Sequence, residues 1–110
     1  IWDMDMRTMV VHDIHQWARD TLGYQPYELP LITLKTCQSL VHPLDMPKII
    51  FDFYEHLNGK KPLFDSEFRL ACKDGNWKQI AVRGKVIERN ADNRPLRIIG
   101  TINEITQKKK

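Results

Sequence analysis

Cysteine is scarce in this 110-residue chain: two residues, Cys37 and Cys72, with no Cys-x-x-Cys spacing and no matching pair of histidine ligands. Both fall at apolar periodic positions, where a free cysteine behaves as a small hydrophobe, and unpaired thiols point to a reducing, cytoplasmic compartment. No apolar run approaches the roughly 20 residues that a bilayer requires, and no signal-peptide pattern is present. This segment is therefore not expected to contact a membrane. Charge of one sign is lacking too. Seventeen Lys and Arg stand against fourteen Asp and Glu, a net +3 that Lys108, Lys109 and Lys110 alone account for. The body is near neutral and carries no basic stripe, which argues against a nucleic-acid partner. The lysine tail reads as a solvated end or the first turn of an exit helix.

Catalytic motifs are missing as well. None of the five glycines belongs to a phosphate loop or a Gly-x-Ser-x-Gly elbow. Nothing near Cys37 supplies the base and electropositive setting that a nucleophilic thiol needs. Asp65 and Glu67, two apart on a strand, form a carboxylate pair on one face. Arg69 and Arg83 share that face, so a solvated salt-bridge ladder is the better reading. His12, His15, His42 and His56 are scattered and read as surface or capping groups rather than metal ligands. The domain is expected to be non-catalytic and to hold no metal.

What the chain does have is ordinary globular composition, 42% apolar and 28% charged, in a length that supports one core without disulfides. It opens at Ile1, in mid-strand and without an initiator Met, and is read as a piece of a longer protein. The stretch from Phe64 to Thr106 predicts three antiparallel strands. Phe64, Ser66, Phe68, Leu70 and Cys72 alternate with Asp65, Glu67, Arg69 and Ala71. Ile80, Val82, Gly84 and Val86 alternate with Gln79, Arg83 and Lys85. A period of two is what a sheet with one buried face requires. Lys73 to Asn76 and Asn90 to Asn93 have turn chemistry. Pairing Cys72 with Lys78 sets Phe68 opposite Val82 and Glu67 opposite Arg83. Pairing Val86 with Ile98 sets Gly84 opposite Gly100 and Val82 opposite Ile102. Both choices bury the same face.

Upstream, residues 1–6 and 8–12 read as two strands around a turn at Arg7. Asp13 reads as a helix N-cap with Gln16 completing a capping box. The helix it starts carries Ile14, Trp17, Ala18 and Thr21 on one stripe and stops at Gly23. Thr33 caps a short helix with Leu34, Cys37 and Val41 on one face, ended by His42-Pro43. Asp45 caps the longest helix, whose apolar stripe is Met46, Ile49, Ile50, Phe53 and Leu57 and whose end is Asn58-Gly59. Two strands, short helices, one longer helix and three strands make an α+β layer arrangement, a five-stranded sheet with its helices on one face.

These residues resemble the PAS domain, a signalling module. EFRLACKDGNWKQIAVRG, then a turn, then PLRIIGTINEIT looks like its C-terminal half, in which a Gly precedes an Asp-Ile-Thr triplet. Here the triplet is Glu104-Ile105-Thr106. Leu22-Gly23-Tyr24 with Glu28-Leu29, and Leu40-Val41-His42-Pro43-Leu44-Asp45 before a helix, also occupy the family's usual places. The resemblance implies one antiparallel sheet joining the first hairpin to the last three strands. It implies a single PAS domain over residues 1–106, with 107–110 beginning a linker or exit helix. It further implies a larger signalling protein whose effector, a histidine kinase or a cyclic-dinucleotide enzyme, lies in the same polypeptide, and a homodimer.

The space between sheet and helices is where PAS relatives hold a ligand or simply pack a core. Phe53, Phe68, Leu70, Ile80, Val82, Gly84, Gly100, Ile102 and Cys37 are the candidate pocket residues for a small organic molecule. Glycine inside a strand marks a close approach. Opposite Gly84 and Gly100 that is either a ligand or a filling side chain such as Phe53. Haem-binding relatives use a histidine of the long helix, but His56 lies near that helix's end, where solvent or the last carbonyls are its expected partners. Flavin photosensors carry Asn-Cys-Arg-Phe-Leu-Gln, and Thr36-Cys37-Gln38-Ser39-Leu40-Val41 lacks its polar members. No cofactor is expected. Trp77 and Tyr24 read as packing or interface anchors. Glu104 and Thr106 are the expected relay to the effector. The rival reading is a ligand-free dimerisation module using Trp77, Ile87, Ile99 and Ala71 on the outer face.

Overall fold

A computed structural model of the chain describes residues 1–105. Thr106 and the linker expected over 107–110 lie outside the described residues. The element order is β1 (Trp2–Asp5), β2 (Val10–His12), α1 (His15–Trp17, continued by a wide π turn over Ala18–Leu22), α2 (Leu34–Leu40), a 3-10 turn (Pro43–Asp45), α3 (Met46–Leu57), β3 (Phe64–Ala71), β4 (Trp77–Arg89) and β5 (Pro95–Glu104). The strands form one antiparallel sheet in the order β2-β1-β5-β4-β3. β1 is thus the strand that joins the N-terminal hairpin to the last three.

Alternation decides the faces. β3 buries Phe64, Ser66, Phe68 and Leu70 and exposes or half-exposes the residues between. Ile80 and Ile98, fully buried, stand at the middle of the core. β4 and β5 pair with Val86 opposite Ile98, Gly84 opposite Gly100 and Val82 opposite Ile102, as the sequence predicts. The β3–β4 hairpin differs from prediction by two residues: Phe68 faces Ile80, Glu67 faces Ala81, and Arg83 faces Asp65. The cause is the turn. Cys72 N–H donates to Asn76 O at 2.7 Å, which closes a three-residue loop in which Gly75 takes φ +93°. A left-handed residue there makes the tight hairpin possible, and the predicted five-residue loop is too long. A slip of two keeps every side chain on its face.

Two predicted caps are not caps. Asp13 adopts φ +64° and turns the chain from β2 into the helix, whose N-cap is Ile14; Asp tolerates this left-handed geometry better than most residues. Thr8 is likewise outside β2, because Met9 takes φ +62° in the turn. Asp45 precedes α3 but makes no cap bond, because its carboxylate is taken by Arg69. Thr33 does cap α2, with a reciprocal box to Thr36, and Gly23 in the left-handed region ends the first helix.

Candidate functional site

An apolar cavity of about 160 Å³ lies between the inner sheet face and the helices. Alternation in the strands points Phe64, Phe68, Leu70, Val82 and Ile102 into it, and the 3.6-residue period of α3 brings Met46, Ile49 and Phe53 across from them. Phe53 meets Phe64 edge-on, ring centres 5.1 Å apart. It is half-buried, because one side of its ring borders the cavity. Cys37 comes from α2, and burial pushes its thiol up to about 11, so it stands as S–H. Exposed Gln38, Ile50 and Tyr54 complete the wall between α2 and α3 and mark the mouth.

Six of the nine predicted pocket residues (Cys37, Phe53, Phe68, Leu70, Val82 and Ile102) therefore sit on this cavity. Ile80 lies beneath it in the solid core. Gly84 and Gly100 are covered by Trp2, not by Phe53. A Cβ on Gly84 would stand 2.7 Å from the Trp2 ring, and one on Gly100 2.6 Å from it. The indole N–H donates to Thr101 O at 3.0 Å and fixes the ring over the glycine pair. Cys72 is buried, with its thiol pushed up by burial.

Apolar periodicity missed the polar seam that holds α3 to the sheet. Asp45 accepts from the Arg69 backbone N–H at 2.8 Å and from its guanidinium at 2.9 and 3.0 Å. Arg69 holds its carboxyl at about 2. Asp52, 7% exposed, accepts from Ser66 Oγ at 3.0 Å, Lys48 Nζ at 2.9 Å and Lys61 Nζ at 3.4 Å. Burial pushes this carboxyl up, but the Lys48 and Ser66 hydrogen bonds outweigh it and the net displacement is downward. His56, 4% exposed, accepts the Val86 N–H on Nε2 at 3.0 Å and donates from Nδ1 to Lys61 O at 2.9 Å. The expectation that His56 meets solvent or the last helix carbonyls is thus replaced by a latch onto β4. Asp52 and His56 stand three and seven residues beyond Ile49, on the stripe that faces the sheet. Admitting polar residues to that stripe would have found them.

The same geometry tests the cofactors that PAS relatives use. Both nitrogens of His56 are committed, so it is not free to ligate a haem iron. The cavity wall carries no charged side chain, and Gln38 is exposed at the mouth, so the polar edge and phosphate of a flavin find no partners. Neither group fits these residues. Among the described residues no three His, Cys, Asp or Glu side chains gather as a metal site.

On the outer face Arg83 pairs with Asp65 at 3.4 Å in place of the predicted Glu67, and Arg97 grips Asp3 at 2.5 Å. Of the expected ladder only the Asp65–Arg83 rung forms; Arg69 is taken by Asp45, and among the described residues Glu67 makes no ion pair. Trp77 packs on His42, ring centres 4.6 Å apart, and Tyr24 donates to Ala71 O at 3.1 Å. Both anchor loops to the sheet. Glu104 ends β5 with its carboxylate 3.4 Å from Lys78 Nζ, and Ile105 N–H donates to Gln79 O at 2.8 Å.

A five-stranded antiparallel sheet with helices on one face, and between them an apolar cavity whose wall includes the last strand, define an α+β module built around a central chamber. The chain belongs to the PAS-fold family, whose model matches residues 13–102. It is 28% identical over 85 residues, 76% of its length, to hybrid signal transduction histidine kinase A of Dictyostelium discoideum, and spans only 4% of that protein. The sensory box histidine kinase/response regulator of Burkholderia thailandensis superposes with a TM-score of 0.78 at 26% identity, over 96% of this chain and 75% of that one. The N-terminal domain of a diguanylate cyclase with PAS/PAC sensor from Marinobacter aquaeolei shares the fold, with a TM-score of 0.77 at 18% identity over 94% and 91% of the two chains. Among the described residues no helix is long and apolar enough to cross a membrane.

Proposed function

We propose that this PAS domain, residues 1–106, is the sensory part of a larger cytoplasmic signalling protein of the histidine kinase or cyclic-dinucleotide type. It takes a small organic molecule into its central cavity and passes the change to a C-terminal effector. The observation that carries the reading is shared wall and strand: Ile102 lines the cavity, and Glu104 ends the same strand two residues later. A ligand that favours one of two packings around Ile102 biases the position of β5's end, and a cue acts only through such a difference in affinity. Glu104, held near Lys78, and Thr106 beyond it are the relay.

Native mass spectrometry of the chain purified from cells tests this. A retained small molecule, released on denaturation, is the expected result; an empty protein after purification from stimulated cells contradicts it. One observation favours a second reading, a homodimerisation module. A shallow outer-face groove over Gly84 and Gly100 is rimmed by Ile1, Leu63 and Ile99. An empty dimer in the same spectrum is its signature.

A further inference from the structure

The cavity's chemistry narrows the cue, given the sensory reading above. None of its lining side chains is charged, and none is a histidine. Of its few polar groups, the Thr36 hydroxyl is engaged with Thr33 in the capping box, and Gln38 and Tyr54 are exposed at the mouth. The Trp2 indole N–H is spent on Thr101 O, which leaves the Trp17 indole N–H and the weak Cys37 thiol as the lining's remaining donors. An ionised or strongly polar molecule would lose its hydration here with little in return. An apolar one gains from every contact. Size sets the other limit, since a dry apolar cavity of roughly 150 Å³ accommodates benzene, and this one is about 160 Å³. Its walls offer aromatic edges from Phe53, Phe64 and Phe68 and thioethers from Met4 and Met46, surfaces that suit a flat ring.

The way in is also built. α2 has no buried residue in its seven, yet both its ends are sewn to the sheet. Thr33 pairs with Val10 on edge strand β2, and Val41 with Leu70 on edge strand β3. α2 is a strap from one sheet edge to the other, whereas α3 is held by Asp45, Asp52 and His56. We propose that the cavity is a binding site for an uncharged, hydrocarbon-like molecule of about one aromatic ring, admitted between the α2 strap and the pinned α3.

Toluene and benzoate are the paired probes, the same ring without and with a charge. Toluene at tenfold its Kd should raise the chain's melting midpoint by about 5 °C or more and shift the methyl NMR signals of Leu70, Val82 and Ile102. Benzoate at equal concentration should do neither. Cys37→Phe and Ile102→Phe each fill the cavity and should abolish the toluene response while retaining a native circular dichroism spectrum. If either fails to fold, the methyl shifts of the unmodified chain still locate the site. Benzoate binding as tightly as toluene, or toluene shifting only surface signals, overturns the ligand class. Neither probe binding overturns it as well. In each case the sensory reading stands or falls separately, on the molecule retained from cells.

Discussion

Arg69 reaches Asp45 with its own backbone N–H and two guanidinium nitrogens, and this one pair joins the start of α3 to β3. The Asp45 carboxyl lies at about 2 against an ordinary 3.8. A folded-state value below the unfolded one contributes stability that is nearly complete above pH 4 and lost as pH falls through 2, up to about 2 kcal/mol. Urea midpoints of the wild type and Asp45→Asn should therefore differ at pH 6 and converge below pH 2. Parallel curves would place the contribution elsewhere. His56 is the second residue of the seam. His56→Ala leaves the Val86 N–H buried without an acceptor and opens a void, so a loss of about 2–4 kcal/mol is expected in chemical denaturation. Asp65→Ala, which removes only an exposed ion pair with Arg83, should cost less than about 1 kcal/mol. Comparable losses from His56→Ala and Asp65→Ala would mean that the latch carries no weight.

At the scale of elements, the strands were legible and the ties between layers were not. Period-two alternation fixed which face of β3, β4 and β5 is buried. Pairing Val86 with Ile98 across the second turn places Gly84 opposite Gly100, and the β4–β5 register agrees despite an irregularity between Val86 and Arg89. The β3–β4 register differs from the predicted one because pattern alone does not give loop length, and Gly75 permits a tighter loop than its neighbours suggest. The side chain that fills the glycine window is not legible in the sequence, because Trp2, 98 residues from Gly100, comes from the first strand and only β1–β5 pairing brings it there. The window carries its own prediction. A Cβ on Gly100 would overlap the Arg83 carbonyl oxygen as well as the Trp2 ring, whereas one on Gly84 meets mainly that ring. Backbone yields less than a side chain, so Gly100→Ala should destabilise by about 3 kcal/mol or more and Gly84→Ala by about 1–3 kcal/mol. Thermal melts of the two variants check the order, and equal melting points would show that both sites relax alike.

Taken whole, the molecule is a sheet with two unlike faces. The outer one is a charged lattice of pairs such as Asp3–Arg97 and Asp65–Arg83, and the inner one is apolar and encloses the chamber. Alternation finds cavity residues because a chamber wall and a solid core share the same pattern, which is also why it does not separate Ile80, in the core, from them. The fold gives the chamber one strand that continues toward the chain's end, β5. Glu104→Gln keeps the shape of that side chain and removes its charge from Lys78, an exposed contact that contributes little stability. The variant domain should melt within about 5 °C of wild type, while in the full signalling protein the effector should no longer follow the cue. A response identical to wild type across the stimulus range would remove Glu104 from the route.

The central claim is that occupancy of the cavity moves the end of β5. Amide NMR spectra of the chain, recorded empty and loaded with the molecule retained from cells, test it most directly. The account predicts shifts at Ile102, Asn103, Glu104 and Ile105 that exceed those in β2, the strand at the far edge of the sheet. Shifts confined to α2 and α3, with residues 102–105 unmoved, would contradict it.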